Sequence, residues 1–117
     1  MRDPKAVALF QEMLRKTEAG KMAWQPSAEP TIFVASMLGK YTLRLREYTS
    51  QNSWGDPTGP PSVMVEDDKG NVMVDINNAV EEIESEQLNA LFRFAKRIAL
   101  QTDDKLDELI AGLKRAQ

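Results

Sequence analysis

The stretch Thr31 to Tyr48, TIFVASMLGKYTLRLREY, constrains this chain more than any other, because its patterning fits two antiparallel strands joined at Leu38-Gly39-Lys40. In its second half Tyr41, Leu43 and Leu45 alternate with Thr42, Arg44 and Arg46, so one face is apolar and the other is charged. The first half differs: Ile32, Phe33, Val34, Ala35, Met37 and Leu38 leave almost no polar side, the pattern of a strand covered on both faces. Gly39 supplies the positive φ that a tight hairpin needs. Ser62 to Glu66 and Asn71 to Ile76 read as a second hairpin, with Asp67-Asp68-Lys69-Gly70 as its turn. The expectation is a four-stranded antiparallel meander in sequence order, since each connection joins neighbours.

Helical periodicity flanks the strands. Asp3 and Pro4 fit an N-cap and a first helical position, and Gly20 a helix end, which predicts a helix over Pro4 to Ala19 with Ala6, Val7, Phe10, Met13 and Leu14 on its apolar face. Ser85 as N-cap opens a second helix to about Leu100, whose apolar set is Leu88, Leu91, Phe92, Ala95, Ile98 and Ala99. Its outer side carries Arg93, Lys96 and Arg97, cations that suit the negative end of the helix dipole. Thr102 or Asp103 then caps a third helix with Leu106, Leu109, Ile110 and Leu113 on one face. Asn77 and Asn78 stop the last strand and open a short turn, Ala79 to Glu84, from which Val80 and Ile83 dock on the core while Glu81, Glu82 and Glu84 stay in water.

Two connectors hold the tryptophans. Gly20 to Pro30 is a loop with Met22-Ala23-Trp24 as a short extended piece, and Trp24, so near a helix end, is read as closing the core. Ser50 to Pro60, SQNSWGDPTGP, is the longest gap in the pattern, and Trp54 within it has two readings. Either it is an interface anchor on a functional loop, or its indole folds back over the sheet.

With 117 residues the chain fits one domain. An apolar content of 42% and a charged content of 28% are ordinary, and no apolar run approaches the length of a membrane span. Met1-Arg2-Asp3-Pro4 leads into no apolar segment of the kind a secretory signal needs, so the cytoplasm is the expected compartment. The absence of Cys excludes disulfides, thiolate metal sites and a Cys nucleophile, and the absence of His removes the usual general base. Glu66, Asp67 and Asp68 lack the alternating ligands of a calcium loop, so a turn explains them better, and neither a metal nor a cofactor is expected. A net charge of −3 argues against nucleic acid as a bulk partner.

The closing segment LNALFRFAKRIALQTDDKLDELIAGLK, with an opening helix leading into GKMAW and a strand reading KYTLRL, resembles small uncharacterised bacterial proteins that place an amphipathic helix and a meander before a final Leu-rich helix. That resemblance covers most of the chain, implies the same α, meander, α order, and brings no activity, ligand or catalytic residue with it. The Trp54 loop is longer here than in the proteins it resembles.

The fold expected is α+β: a two-layer sandwich of a four-stranded antiparallel meander with an N-terminal helix and two C-terminal helices, all three burying their stripes on Tyr41, Leu43, Leu45, Val63, Val65, Val72, Val74 and Ile76. Strand alternation sends Met64 and Met73 to the other face, beside Ile32, Val34, Arg44 and Arg46. The strand from Ile32, first in the meander, is expected at an edge, where an apolar strand invites pairing. These residues and Trp54 are the candidate binding surface of a non-enzymatic protein-binding or regulatory module, expected to self-associate as a two-fold homodimer. A second reading is single-stranded nucleic-acid binding through Arg44, Arg46 and nearby aromatics. A third is neutralisation of one specific partner, as immunity proteins and antitoxins do, by analogy of size and charge. No paired acid, base or nucleophile points to an enzyme.

Overall fold

The computed structural model describes residues 3–48, 50–80 and 82–116. Glu81, expected in a solvated turn, lies outside them. The first helix, α1, spans Pro4–Glu18, and Asp3 caps it as its position predicts: the Oδ1 atom accepts a hydrogen bond from the Ala6 amide at 3.0 Å. Gly20, at φ +72°, ends it. Ala6, Phe10, Met13 and Leu14 are buried and Val7 packs against them.

A two-residue strand, β1 (Gln25–Pro26), leads into the first predicted hairpin, β2 (Ile32–Met37) and β3 (Tyr41–Arg46). Within the long loop β4 (Ser50–Gln51) and β5 (Pro57–Thr58) form a separate two-stranded ribbon. The second predicted hairpin follows as β6 (Ser62–Glu66) and β7 (Val72–Ile76), then α2 (Ser85–Ala99) and α3 (Thr102–Arg115). The main sheet has five antiparallel strands in the order β1-β2-β3-β6-β7, so the expected four gain a fifth at one end. β1 pairs Gln25 with Val34 and Pro26 with Phe33, which moves β2 off the edge where it was expected. A very short strand carrying a proline is a common way to blunt an edge, because Pro has no N–H to offer a further strand.

Register explains the core. Phe33 pairs with Leu45, Leu45 with Val63, and Val63 with Ile76, forming one apolar row across the four long strands; Ala35, Leu43, Val65 and Val74 form the next. α1 and α2 lie on that face, α2 against β1 and β2, α1 against β7 and against α2. The Phe33 and Phe92 rings meet at 5.6 Å between centroids, tilted by 51°, and Val80 and Ile83 close the layer as expected. Val72, expected inside, is exposed: Glu66 pairs with Val72 while Val65 pairs with Val74, so the ladder slips by one residue at the end of β7.

Two helix starts also differ from the sequence reading by one residue. α2 is capped at Glu84, not Ser85, and the Gln87 side chain reaches back to accept from the Glu84 amide at 3.0 Å. α3 begins after Gln101, which takes a left-handed conformation at φ 53° because only Leu100 and Gln101 separate the two helices. The larger correction concerns α3 itself. Among the described residues none of α3 is buried, and Leu106, Leu109, Ile110 and Leu113 are all exposed. α1 and α2 already occupy the apolar face of the sheet, and α3 packs chiefly against α2. The layered α+β architecture holds, with two helices rather than three covering the sheet.

Candidate functional site

The outer face of the sheet is built by the second half of each strand's alternation. With Phe33, Leu45 and Val63 turned inward, Ile32, Val34, Arg44, Arg46, Ser62 and Met64 turn outward. Pairing sets them in rows: Val34 opposite Arg44, Arg44 opposite Met64 and Met64 opposite Asp75 in one, Ile32 opposite Arg46 and Arg46 opposite Ser62 in the next. Of the seven residues singled out in the sequence, Ile32, Val34, Arg44, Arg46 and Met64 thus fall on one face, Met73 lies on the edge strand β7, and Trp54 lies in the turn between β4 and β5.

Electrostatically the face is a cross-strand ladder. An Arg44 Nη2 donates to Glu66 Oε1 at 3.4 Å, and an Arg46 Nη2 donates to Ser62 Oγ at 3.0 Å and lies 3.5 Å from Asp75 Oδ2. Ser62 is fully buried beneath the Arg46 guanidinium. Both ion pairs are long, and the Nε of Arg46 and the Oδ1 of Asp75 are buried with no hydrogen-bond partner among the described residues. Ion pairs of this kind, partly open to water, contribute about 0–1 kcal/mol each, so they orient the face more than they stabilise it. Glu66 and Asp75 are the site residues that sequence reasoning missed; their alternation with inward Val65 and Val74 carried the signal.

The methionines part company. Met64 is half-buried between Arg44 and Asp75, whereas Met73 sits where the ladder slips, exposed on the edge strand and paired with no residue of β6. The expected Met pair therefore does not form by register, because strict alternation fails at the irregularity beside Glu66.

Trp54 is settled in favour of exposure: it is 87% accessible at the turn between β4 and β5, and its indole does not fold over the sheet. Asn52 builds that turn, its Oδ1 accepting from the amides of Trp54 at 2.9 Å and Asp56 at 3.0 Å, while the Asn52 amide donates to the Asp56 carbonyl at 2.9 Å. The opposite holds for Trp24, which is 2% accessible and donates its indole N–H to Thr17 in the last turn of α1.

A shallow cleft lies between the two hairpin tips, lined by Lys40, Tyr41, Arg44, Glu66, Asp67 and Asp68. Lys40 Nζ lies 5.3 Å from the Tyr41 ring centroid. Asp67 works as a turn residue: its Oδ1 accepts from the amides of Lys69 and Asn71, both at 2.9 Å, and these bonds, the one to Asn71 first, hold its carboxyl below the usual carboxylate range. Among the described residues no group of three or more Asp or Glu is placed to hold a metal ion, and no helix is long and apolar enough to cross a membrane.

No protein-family model, no curated protein and no solved structure matches the chain.

Proposed function

We propose that the protein is a non-enzymatic protein-binding or regulatory module of the cytoplasm, with the outer face of the sheet and the Trp54 turn as its working surface. The observation that carries this reading is Trp54, a large aromatic side chain 87% exposed on a turn ordered by four hydrogen bonds to Asn52 and Asp56. Leaving an indole in water forgoes one of the largest single burial gains a side chain offers, and Trp is the residue type most enriched among interface anchors. Its turn is inserted between β3 and β6, the two central strands of the face that carries Val34, Met64 and the arginines. Neutralisation of one specific partner is a case of the same reading.

Single-stranded nucleic-acid binding has less support. Stacking platforms combine open aromatics with cations free to meet phosphate, and here Arg44 and Arg46 each face a carboxylate across the ladder.

The test is affinity capture with the immobilised full chain beside its Trp54→Ala and Val34→Asp variants. Support is a discrete protein retained by the wild type and lost from both variants while their circular dichroism is unchanged. The reading is overturned if nothing is retained above a blank matrix, if retention survives both substitutions, or if the retained species is nucleic acid released by salt.

A further inference from the structure

Four of the ten exposed large apolar side chains among the described residues lie together on α3 rather than on the sheet. α3 carries Leu106, Leu109, Ile110 and Leu113 along one face, all exposed, with Leu113 at 70%. A helix whose stripe repeats at three and four residues is shaped to be covered, and among the described residues no part of α3 is buried. The fold is correspondingly extended: its radius of gyration is 16.0 Å, against about 13 Å expected for a compact chain of this length.

We infer that the stripe is covered by the α3 helix of a second copy of this chain, the two helices running antiparallel. The charge along the helix selects both the occupant and its direction. Asp103, Asp104, Asp107 and Glu108 stand in the first half with Lys105 as its one cation, so that half is net acidic, and Lys114 and Arg115 stand in the last turn. A parallel pair places acid beside acid and base beside base, whereas an antiparallel pair sets each acidic half along the other's basic end. The helix is self-complementary when a two-fold axis crosses it near its middle, the placement that sets the two copies antiparallel. Gly112 adds shape to charge. Nothing lies within 4 Å of where its side chain would begin, and a shallow groove passes over it, with Leu109 and Leu113 as its apolar lining and Lys105, Glu108 and Arg115 as its charged lining, so the backbone of a partner helix can approach here.

The joint with α2 holds α3 out. Gln101 takes the left-handed turn, and Arg97 pairs with Asp103 across it, which ties the direction of α3 to α2 rather than to the sheet. The dimer formed this way leaves the outer sheet face and Trp54 untouched, so self-association and partner capture stand or fall separately. A 14-residue helix is about 21 Å long, and one such pair is short of the roughly 2,000–5,000 Å² of a permanent interface. Dimerisation is therefore expected to be reversible and dependent on concentration.

Light scattering on the full chain, from micromolar to millimolar concentration, should show the mass rising from 13.2 kDa toward twice that value. Leu109→Asp with Leu113→Asp should hold it at the monomer mass with circular dichroism unchanged. Lys114→Glu with Arg115→Glu, which turns the complementary end repulsive, should weaken association at least tenfold at low salt; it serves as the second variant should the first lose structure. Since the chain has no cysteine, Thr102→Cys and Ala116→Cys report direction through a short bismaleimide. The mixture should cross-link and each variant alone should not. A wild type that stays monomeric, a dimer indifferent to both α3 variants, or efficient cross-linking of Ala116→Cys with itself would overturn the inference.

Discussion

The indole N–H of Trp24 donates to the Thr17 hydroxyl at 2.9 Å, both residues being buried, and this bond ties the connector after α1 to the helix it has just left. It places Gln25 and Pro26 where they meet Val34 and Phe33 as β1. Thr17→Val keeps the shape but leaves the indole donor unpaired in the core, at an expected cost of about 1–3 kcal/mol. Thr17→Ser retains the acceptor and should lose less. Chemical denaturation of both variants decides it, since equal losses would assign the effect to the threonine methyl group instead.

Leu43 and Arg44 are neighbours on opposite faces of β3, one buried in the core, the other paired at 3.4 Å with Glu66 at the surface. Leu43→Ala is expected to cost about 2–5 kcal/mol, and Arg44→Ala about 1 kcal/mol or less. The same denaturation measurement checks the order, and similar losses would contradict the register.

Leu38 and Gln101 are the two non-glycine residues at positive φ among the described residues, and Leu38, at φ 56°, is followed by Gly39 at φ 70° with its side chain 82% exposed. Two successive left-handed residues make the kind of turn that favours Asn-Gly, and leucine there is disfavoured by about 1–2 kcal/mol. Leu38→Asn should raise the thermal midpoint because it relieves strain and removes no buried contact. An unchanged or lower midpoint would show that Leu38 is packed in solution.

Asp67 gives a pH dependence. Its pKa is lowered in the fold by the amides of Asn71 and Lys69, so its contribution to stability is complete above the unfolded carboxyl value and is lost as pH falls through the lower, folded one. An NMR titration should show the Asp67 carboxyl changing below the range of exposed aspartates, with the Lys69 and Asn71 amide shifts moving together with it. A carboxyl titrating at the ordinary position would mean that the turn does not hold those bonds.

Much of this architecture follows from local chemistry. Asp3-Pro4 at the start of α1, Gly20 at its end, Gly39 in the first hairpin and Asp67 to Gly70 in the second are signals of capping and left-handed backbone that act within a few residues. Alternation alone separated Leu43 and Leu45 from Arg44 and Arg46, because a strand's side chains must point to opposite faces. Tertiary structure decided the rest. The stripe of α3 is as periodic as those of α1 and α2, but periodicity shows only that a helix has an apolar face, and the sheet area able to cover it was already taken. The pairing of Arg44 with Glu66 and of Arg46 with Asp75 spans 22 and 29 positions, and Met73 left its expected row through a slip in one ladder. Such contacts depend on which strands meet and in what register, and register is a property of the assembled sheet rather than of any single strand.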